Sequence, residues 1–322
     1  MIKFIKDIFS IDKNPHKGLF AFEWTVVVYL VATALILLFI YTKAYNPEEM
    51  IWGRVRILFT MAALWAVYKM VPCRFTLLAR VAAQLAFLSW WYPDTYEFNR
   101  LFPNLDHVFA VWEQDLFGCQ PALLFSQFIT NHIFSELMNL GYSSYYFLIF
   151  VVEMYYFIFR YKDFEKTSFI VLTSFLIFFF LFICLPVAGP QFYYAAVGTD
   201  KIAQGIFPNI GDYFRTHQEI LGGPGWTDGF FYHIVEDAQA AGERPTAAFP
   251  SSHVGIATII VMLSIRTKEK YLLFVVIPLY VLLCFATVYI QAHYAIDAIA
   301  GLFSGVLLYY VTKILYEHAV KR

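Results

Sequence analysis

The chain has 322 residues, 60% of them hydrophobic, 20% aromatic and only 15% charged, where a soluble domain carries about 25% charge. Disorder, collagen-like repeats and coiled coils are excluded, since each needs a polar or strictly periodic composition. The net charge of -1 leaves no broad basic surface for nucleic acid, so the composition predicts an all-α polytopic membrane protein whose solvent is lipid.

A spanning helix needs about 20 mainly apolar residues. The N-terminal tail carries Lys3, Lys6, Lys13 and Lys17, and eight candidate spans follow at roughly 22–41, 53–71, 75–92, 142–160, 167–187, 252–267, 270–291 and 294–315. The third is interrupted by Arg80 and Gln84, and the sixth is short. Short cytoplasmic loops collect Lys and Arg. With eight spans, the tail, the clusters Lys69/Arg74/Arg80, Arg160/Lys162/Lys166 and Arg266/Lys268/Lys270, and the terminal Lys321-Arg322 fall on one side. The rule therefore predicts both termini in the cytoplasm, opposed only by Lys43, Arg54 and Arg56 in the first loop. The first apolar run lacks a cleavage pattern and reads as an uncleaved anchor.

Two long loops, 93–141 and 188–250, lie on the outward side. The first contains an apolar stretch from Leu116 to Phe128 broken by Gly118 and Pro121, which predicts an interfacial or re-entrant piece. The second is rich in Gly and Pro and too long for a simple connector, and long ordered loops are commonly functional. Its acidic residues Glu236, Asp237 and Glu243 read as a solvated face. Tyr193, Tyr194, Trp90 and Trp91 read as interfacial aromatics, and Glu153, in mid-span, as an interhelical hydrogen-bonding group.

Phe249-Pro250-Ser251-Ser252-His253 opens the sixth span with helix-start residues. The free N–H groups of such a start form an anion site, suited to phosphate. His293-Tyr-Ala-Ile-Asp297 opens the last span. The four-residue spacing places imidazole and carboxylate on one helix face, and ionisable groups so near the hydrocarbon are commonly functional. Gly301 and Gly305 continue that face as a small-xxx-small packing pattern, which turns it into the bundle. Forty residues, about two spans, separate His253 from His293, so both return to the same side. Paired histidines at an anion site can attack phosphorus and protonate a leaving oxygen.

Pro-Ser-Ser-His followed by His-x-x-x-Asp at the next outward helix start resembles the second and third signatures of the type 2 phosphatidic acid phosphatase superfamily. The resemblance covers roughly residues 142–318. It implies a six-helix catalytic core within 75–322, preceded by a cytoplasmic tail and two accessory helices in 1–74. It also implies a multi-pass protein of the cell's inner membrane acting on a lipid phosphate. His293 would be the nucleophile that forms a phosphohistidine, Asp297 would orient it, and His253 would protonate the departing alcohol. Ser251, Ser252 and backbone N–H groups would hold phosphate oxygens, with no metal or other cofactor implied.

The family's third signature begins Ser-Arg, where this chain has Ala286 and Thr287. The first signature, Lys-x6-Arg-Pro, has no clean match: Lys201 is followed seven residues later by Pro208, and the one Arg-Pro is Arg244-Pro245. These departures, with the His-Tyr-x-x-Asp wording, resemble the branch containing inositol-phosphorylceramide and sphingomyelin synthases, which move head groups between lipids. A pentacovalent phosphorus needs positive charge, for which Arg244, Lys201 and Arg215 are the outward candidates. Two other classes compete. A zinc hydrolase would use His253, His293 and Asp297 as ligands, and a transporter would use Glu153, His293 and Asp297 as an ion path.

Overall fold

A computed structural model describes residues 2–320, with side chains from residue 6 onward. Lys321, Arg322 and the side chain of Lys3 lie outside the described residues. All α-helical apart from its loops and one 3-10 turn at Tyr213–Arg215, the described chain runs α1 (Ile2–Phe9), α2 (Ala21–Ile40), α3 (Pro47–Met70), α4 (Arg74–Ala86), α5 (Leu88–Asn99), α6 (Asp106–Phe117), α7 (Pro121–Phe128), α8 (His132–Ser143), α9 (Tyr145–Phe159), α10 (Tyr161–Cys184), α11 (Pro190–Val197), α12 (Thr199–Ala203), α13 (Phe230–Gly242), α14 (Ser252–Thr267), α15 (Lys270–Tyr289) and α16 (Ala295–Val320).

Among the described residues, α2, α3, α10, α15 and α16 are long and apolar enough to cross a bilayer. The pair α8 and α9, bent by 49°, makes a sixth if read as one broken span. The expected third span is instead two helices meeting at Phe87, which caps both α4 and α5. The expected fourth, 142–160, is the second half of the bent pair. The apolar stretch Leu116 to Phe128 becomes the end of α6 and all of α7, separated by left-handed Gly118.

Helices α2 and α3 are each fastened by a buried ion pair. Arg54 of α3 forks onto Asp94 of α5, with Nη1–Oδ1 2.9 Å and Nη2–Oδ2 2.8 Å, and it lies over Trp90, Trp91 and Phe98. Arg80 of α4 forks onto Glu23 in the first turn of α2, and both side chains are wholly buried. These arginines are therefore structural ions and not loop charges. Arg54 ceases to oppose the positive-inside pattern, Arg80 ceases to support it, and Trp91 is a core residue and not a belt residue.

Breaking one partner of a buried pair strands the other charge and costs about 3–5 kcal/mol, whereas an apolar replacement of both is often neutral. Arg80→Leu is accordingly expected to lower the unfolding free energy measured in detergent by that much, and Glu23→Leu with Arg80→Leu to restore most of it.

The N-terminal segment, the α9–α10 and α14–α15 turns and the end of α16 gather at one end of the bundle. The Asp12 N–H donates to the Pro72 carbonyl, Arg160 to the Thr267 carbonyl, and Lys166 pairs with Glu317 at 2.7 Å. The loops that follow α5 and α10 gather at the other end, and there the two halves of the site meet. α14 packs on α16 through facing glycines: a Cβ at Gly301 would run into the Ser251 carbonyl, and one at Gly305 into the Gly255 carbonyl. Glu153 accepts from Ser168 Oγ at 2.8 Å, an interhelical bond between α9 and α10.

Candidate active site

Two segments with strained backbone carry the histidines. Ala247 and Gln291 adopt positive φ, 68° and 65°, which for residues with a side chain persists only where the surroundings enforce it. The enforcement is visible in three backbone bonds: Ala248 N to Val187 O at 3.0 Å, Gln191 N to Gln291 O at 2.8 Å, and His293 N to Thr287 O at 3.0 Å. Gly189 sits where the strands of loop cross, and a Cβ there would lie 2.7 Å from the Ala292 carbonyl.

His293 is buried. Its Nδ1 lies 2.8 Å from the Ala248 carbonyl, and its Nε2 lies 3.3 Å from His253 Nδ1. A carbonyl only accepts, so Nδ1 of His293 carries the proton and Nε2 presents its lone pair. It follows that His253 donates from Nδ1 across the 3.3 Å contact. The His253 ring is held between Tyr142 and Tyr145, with centroids at 4.8 Å and 4.5 Å. Burial lowers the proton affinity of His293 to a pKa of about 4, which keeps the imidazole neutral and nucleophilic at pH 7.

Asp297 does less for the ring than the spacing predicts. Its Oδ2 is 3.7 Å from His293 Nδ1 and accepts the Tyr294 N–H at 2.9 Å. The orienting bond is the one His293 Nδ1 donates to the Ala248 carbonyl, and the Asp297 side chain is a cap of the α16 start that lies behind the ring. Ser251 is also a cap: its Oγ accepts the Val254 N–H at 3.3 Å and its N–H donates to the Asp297 carbonyl at 3.0 Å. Ser252 follows as the first residue of α14, next to His253.

Two carboxylates on one face of α6, seven residues apart, join the site without any motif to mark them. Glu113 accepts the Ala295 and Ile296 N–H groups at 2.9 and 3.1 Å. Asp106 accepts the Ala188 and Gly189 N–H groups at 2.7 and 2.8 Å and the Tyr294 hydroxyl at 3.1 Å. The start of α16 is thus already filled by the protein's own carboxylate. Two acids spaced by two turns in an otherwise outward loop were the available signal.

Burial raises Asp106 to about 6 and Glu113 to about 7, against the pull of those N–H groups. A carboxyl whose proton affinity rises on folding favours the folded state while protonated. That contribution is complete below the ordinary carboxyl range and is lost as pH rises through about 6 to 7. The thermal midpoint in detergent is expected to fall between about pH 5 and about pH 8, and Glu113→Gln to flatten that decline.

The three basic candidates separate. Arg244 lines an outer cleft of about 310 Å³ with Trp90, Tyr96 and Arg100, and its Nη1 donates to the Glu243 carbonyl at 2.8 Å. Arg215 is committed to Asp212 at 2.9 Å and to the Leu101 carbonyl at 3.1 Å. Lys201 is exposed on α12. Neither Lys201 nor Arg215 bonds to the histidine pair or to its supports among the described residues.

Glu243 is not part of a solvated face. It is half-buried and accepts the Tyr92 hydroxyl at 2.8 Å. Tyr193 and Tyr194 are likewise core, bonded to the Pro208 carbonyl and to Gln120. Zinc ligation by His253, His293 and Asp297 would need three lone pairs aimed at one point. Instead the Nδ1 edge of His293 nearest Asp297 faces a carbonyl, and its other nitrogen faces His253.

Residues 107–311, more than half of the chain, match the PAP2 superfamily. The chain belongs to that superfamily of membrane phosphatases and phosphotransferases. Comparison with curated proteins and with solved structures returned no match.

Proposed function

We propose that the protein is an integral-membrane enzyme that transfers the phospho group of a lipid phosphoester through a phosphohistidine on His293, at the membrane face opposite its termini. The observation that carries this is the tautomer-defining chain from the Ala248 carbonyl through His293 to His253. The basic residues gathered at the other end support an eight-crossing topology with α4–α5 and α14 as spans and both termini cytoplasmic.

In this reading a phosphoryl group separates the two imidazoles. Nε2 of His293 forms a bond to phosphorus as the ester P–O bond breaks. With the anionic phosphoryl group beside it, His253 takes up a second proton from solvent, passes a proton to the departing oxygen and becomes neutral. It then takes a proton from the acceptor hydroxyl, which displaces His293 from phosphorus. The first-turn N–H groups of α14 stabilise the charge that develops, and Arg244, six residues before Pro250, is the basic residue assigned to it. Asp297, behind the ring, favours the cationic phosphoimidazole. Water as acceptor makes the enzyme a phosphatase; a lipid alcohol makes it a head-group transferase.

The test is to quench the purified protein during turnover of a phosphorus-labelled lipid ester. Acid-labile, base-stable label on the peptide containing His293 is expected. Label on another residue, or none during demonstrable turnover, overturns the reading.

A further inference from the structure

Positive charge is scarce around the histidine pair. Three guanidinium groups at this end of the bundle, Arg54, Arg100 and Arg215, each hold a carboxylate, from Asp94, Glu97 and Asp212, and Arg56 stands exposed on α3. Among the described residues, Arg244 has no such ion pair. Beside it stands Glu243, five residues before the carbonyl that anchors His293 and fixed by the Tyr92 hydroxyl at 2.8 Å. Glu243 interacts electrostatically with His293 and with Tyr142, the ring stacked on His253. Arg244 and Glu243 thus set one guanidinium and one carboxylate on the segment that leads to the Ala248 carbonyl anchoring His293, with Asp297 buried behind the ring.

A phosphomonoester carries up to two negative charges near neutrality, because its second ionisation lies near about pH 6; a phosphodiester carries one. The extra charge must be matched by a clamp that this site lacks. We infer that Glu243 is a specificity-determining residue that rejects dianionic phosphomonoesters and directs the site toward lipid phosphodiesters. This rests on the phosphohistidine reading above and adds the substrate class to it.

Glu243 is faced by Tyr92 from α5, Tyr142 and Tyr146 from the α8–α9 pair, His293, and its neighbour Arg244. Burial raises its own proton affinity, so acid neutralises the carboxylate and the second phosphate charge together. Rejection should therefore fade on acidification.

The experiment compares kcat/KM for a lipid phosphomonoester and a lipid phosphodiester of the same acyl chains, in detergent, across about pH 5.5 to 7.5. Wild type is expected to prefer the diester at the upper end, with the monoester/diester ratio rising toward the lower. Glu243→Gln is expected to raise the ratio at pH 7.5 by about tenfold or more, the scale of one removed charge in a partly buried site, and to flatten its pH dependence. Glu243→Asp, which keeps the charge, should retain the preference. A ratio unmoved in folded Glu243→Gln, or a wild-type preference for the monoester at pH 7.5, overturns the inference while leaving the phosphohistidine intact. Turnover of neither lipid by wild type defeats the phosphoester reading itself, and the specificity with it.

Discussion

His293→Ala is expected to reduce turnover of any lipid phosphoester by four orders of magnitude or more, because removal of a covalent nucleophile leaves only binding and electrostatic assistance. The informative comparison is with His253→Ala. General acid catalysis contributes about 10²–10⁴, and only where the leaving oxygen needs a proton. On an ester with a good leaving group such as nitrophenol, His253→Ala should recover most of its activity, whereas His293→Ala should remain inactive. The two imidazoles are 3.3 Å apart, so equal losses on both substrates would mean that they act as one structural unit and that the division of roles is wrong.

The second large effect is expected far from any reacting atom. Gly301 lies where α14 crosses α16, and a Cβ added there would run into the Ser251 carbonyl and come within 3.1 Å of Ser251 Cβ. A leucine there must push the two helices apart. Overpacking of this kind costs about 1–3 kcal/mol, which a folded bundle survives. The catalytic penalty is larger, since His253 rides on α14 while His293 is held at the start of α16, and a shift of about 1 Å costs about 10² in rate. Gly301→Leu should therefore lose at least that much kcat with only a modest fall in thermal midpoint. A proportionate loss of both would mean that α16 had simply failed to pack.

Both motifs were legible because their physics is local. Ser251 caps a helix whatever lies around it, and four-residue spacing puts His293 and Asp297 on one face of any helix. Local rules also misplaced some details. Asp297 was expected to hold the imidazole, but the Ala248 carbonyl, forty-five residues earlier in the chain, takes that place. Glu243 looked like a solvated acid because the sequence does not show Tyr92 arriving from α5. Asp106 and Glu113 escaped notice because their partners are backbone N–H groups, which carry no side-chain signature.

The spans show the same division. Hydropathy is a sum over consecutive residues, so α2, α10, α15 and α16 could be read directly. Arg80 and Arg54 could not be classed as buried ions without Glu23 and Asp94, which lie 57 residues before and 40 residues after them.

The sequence by itself determined that lipid is the solvent, that several helices are long and apolar enough to cross a membrane, and that two spaced motifs each carry a histidine at a helix start. Composition, period and spacing act along the chain, and they suffice for those conclusions. Only the tertiary structure decided which nitrogen of His293 is free, which carboxylates support its segment, and that Arg244, unlike Arg54, Arg100 and Arg215, holds no carboxylate among the described residues. Those properties depend on bonds between residues distant in sequence, set by how the helices and outer loops pack.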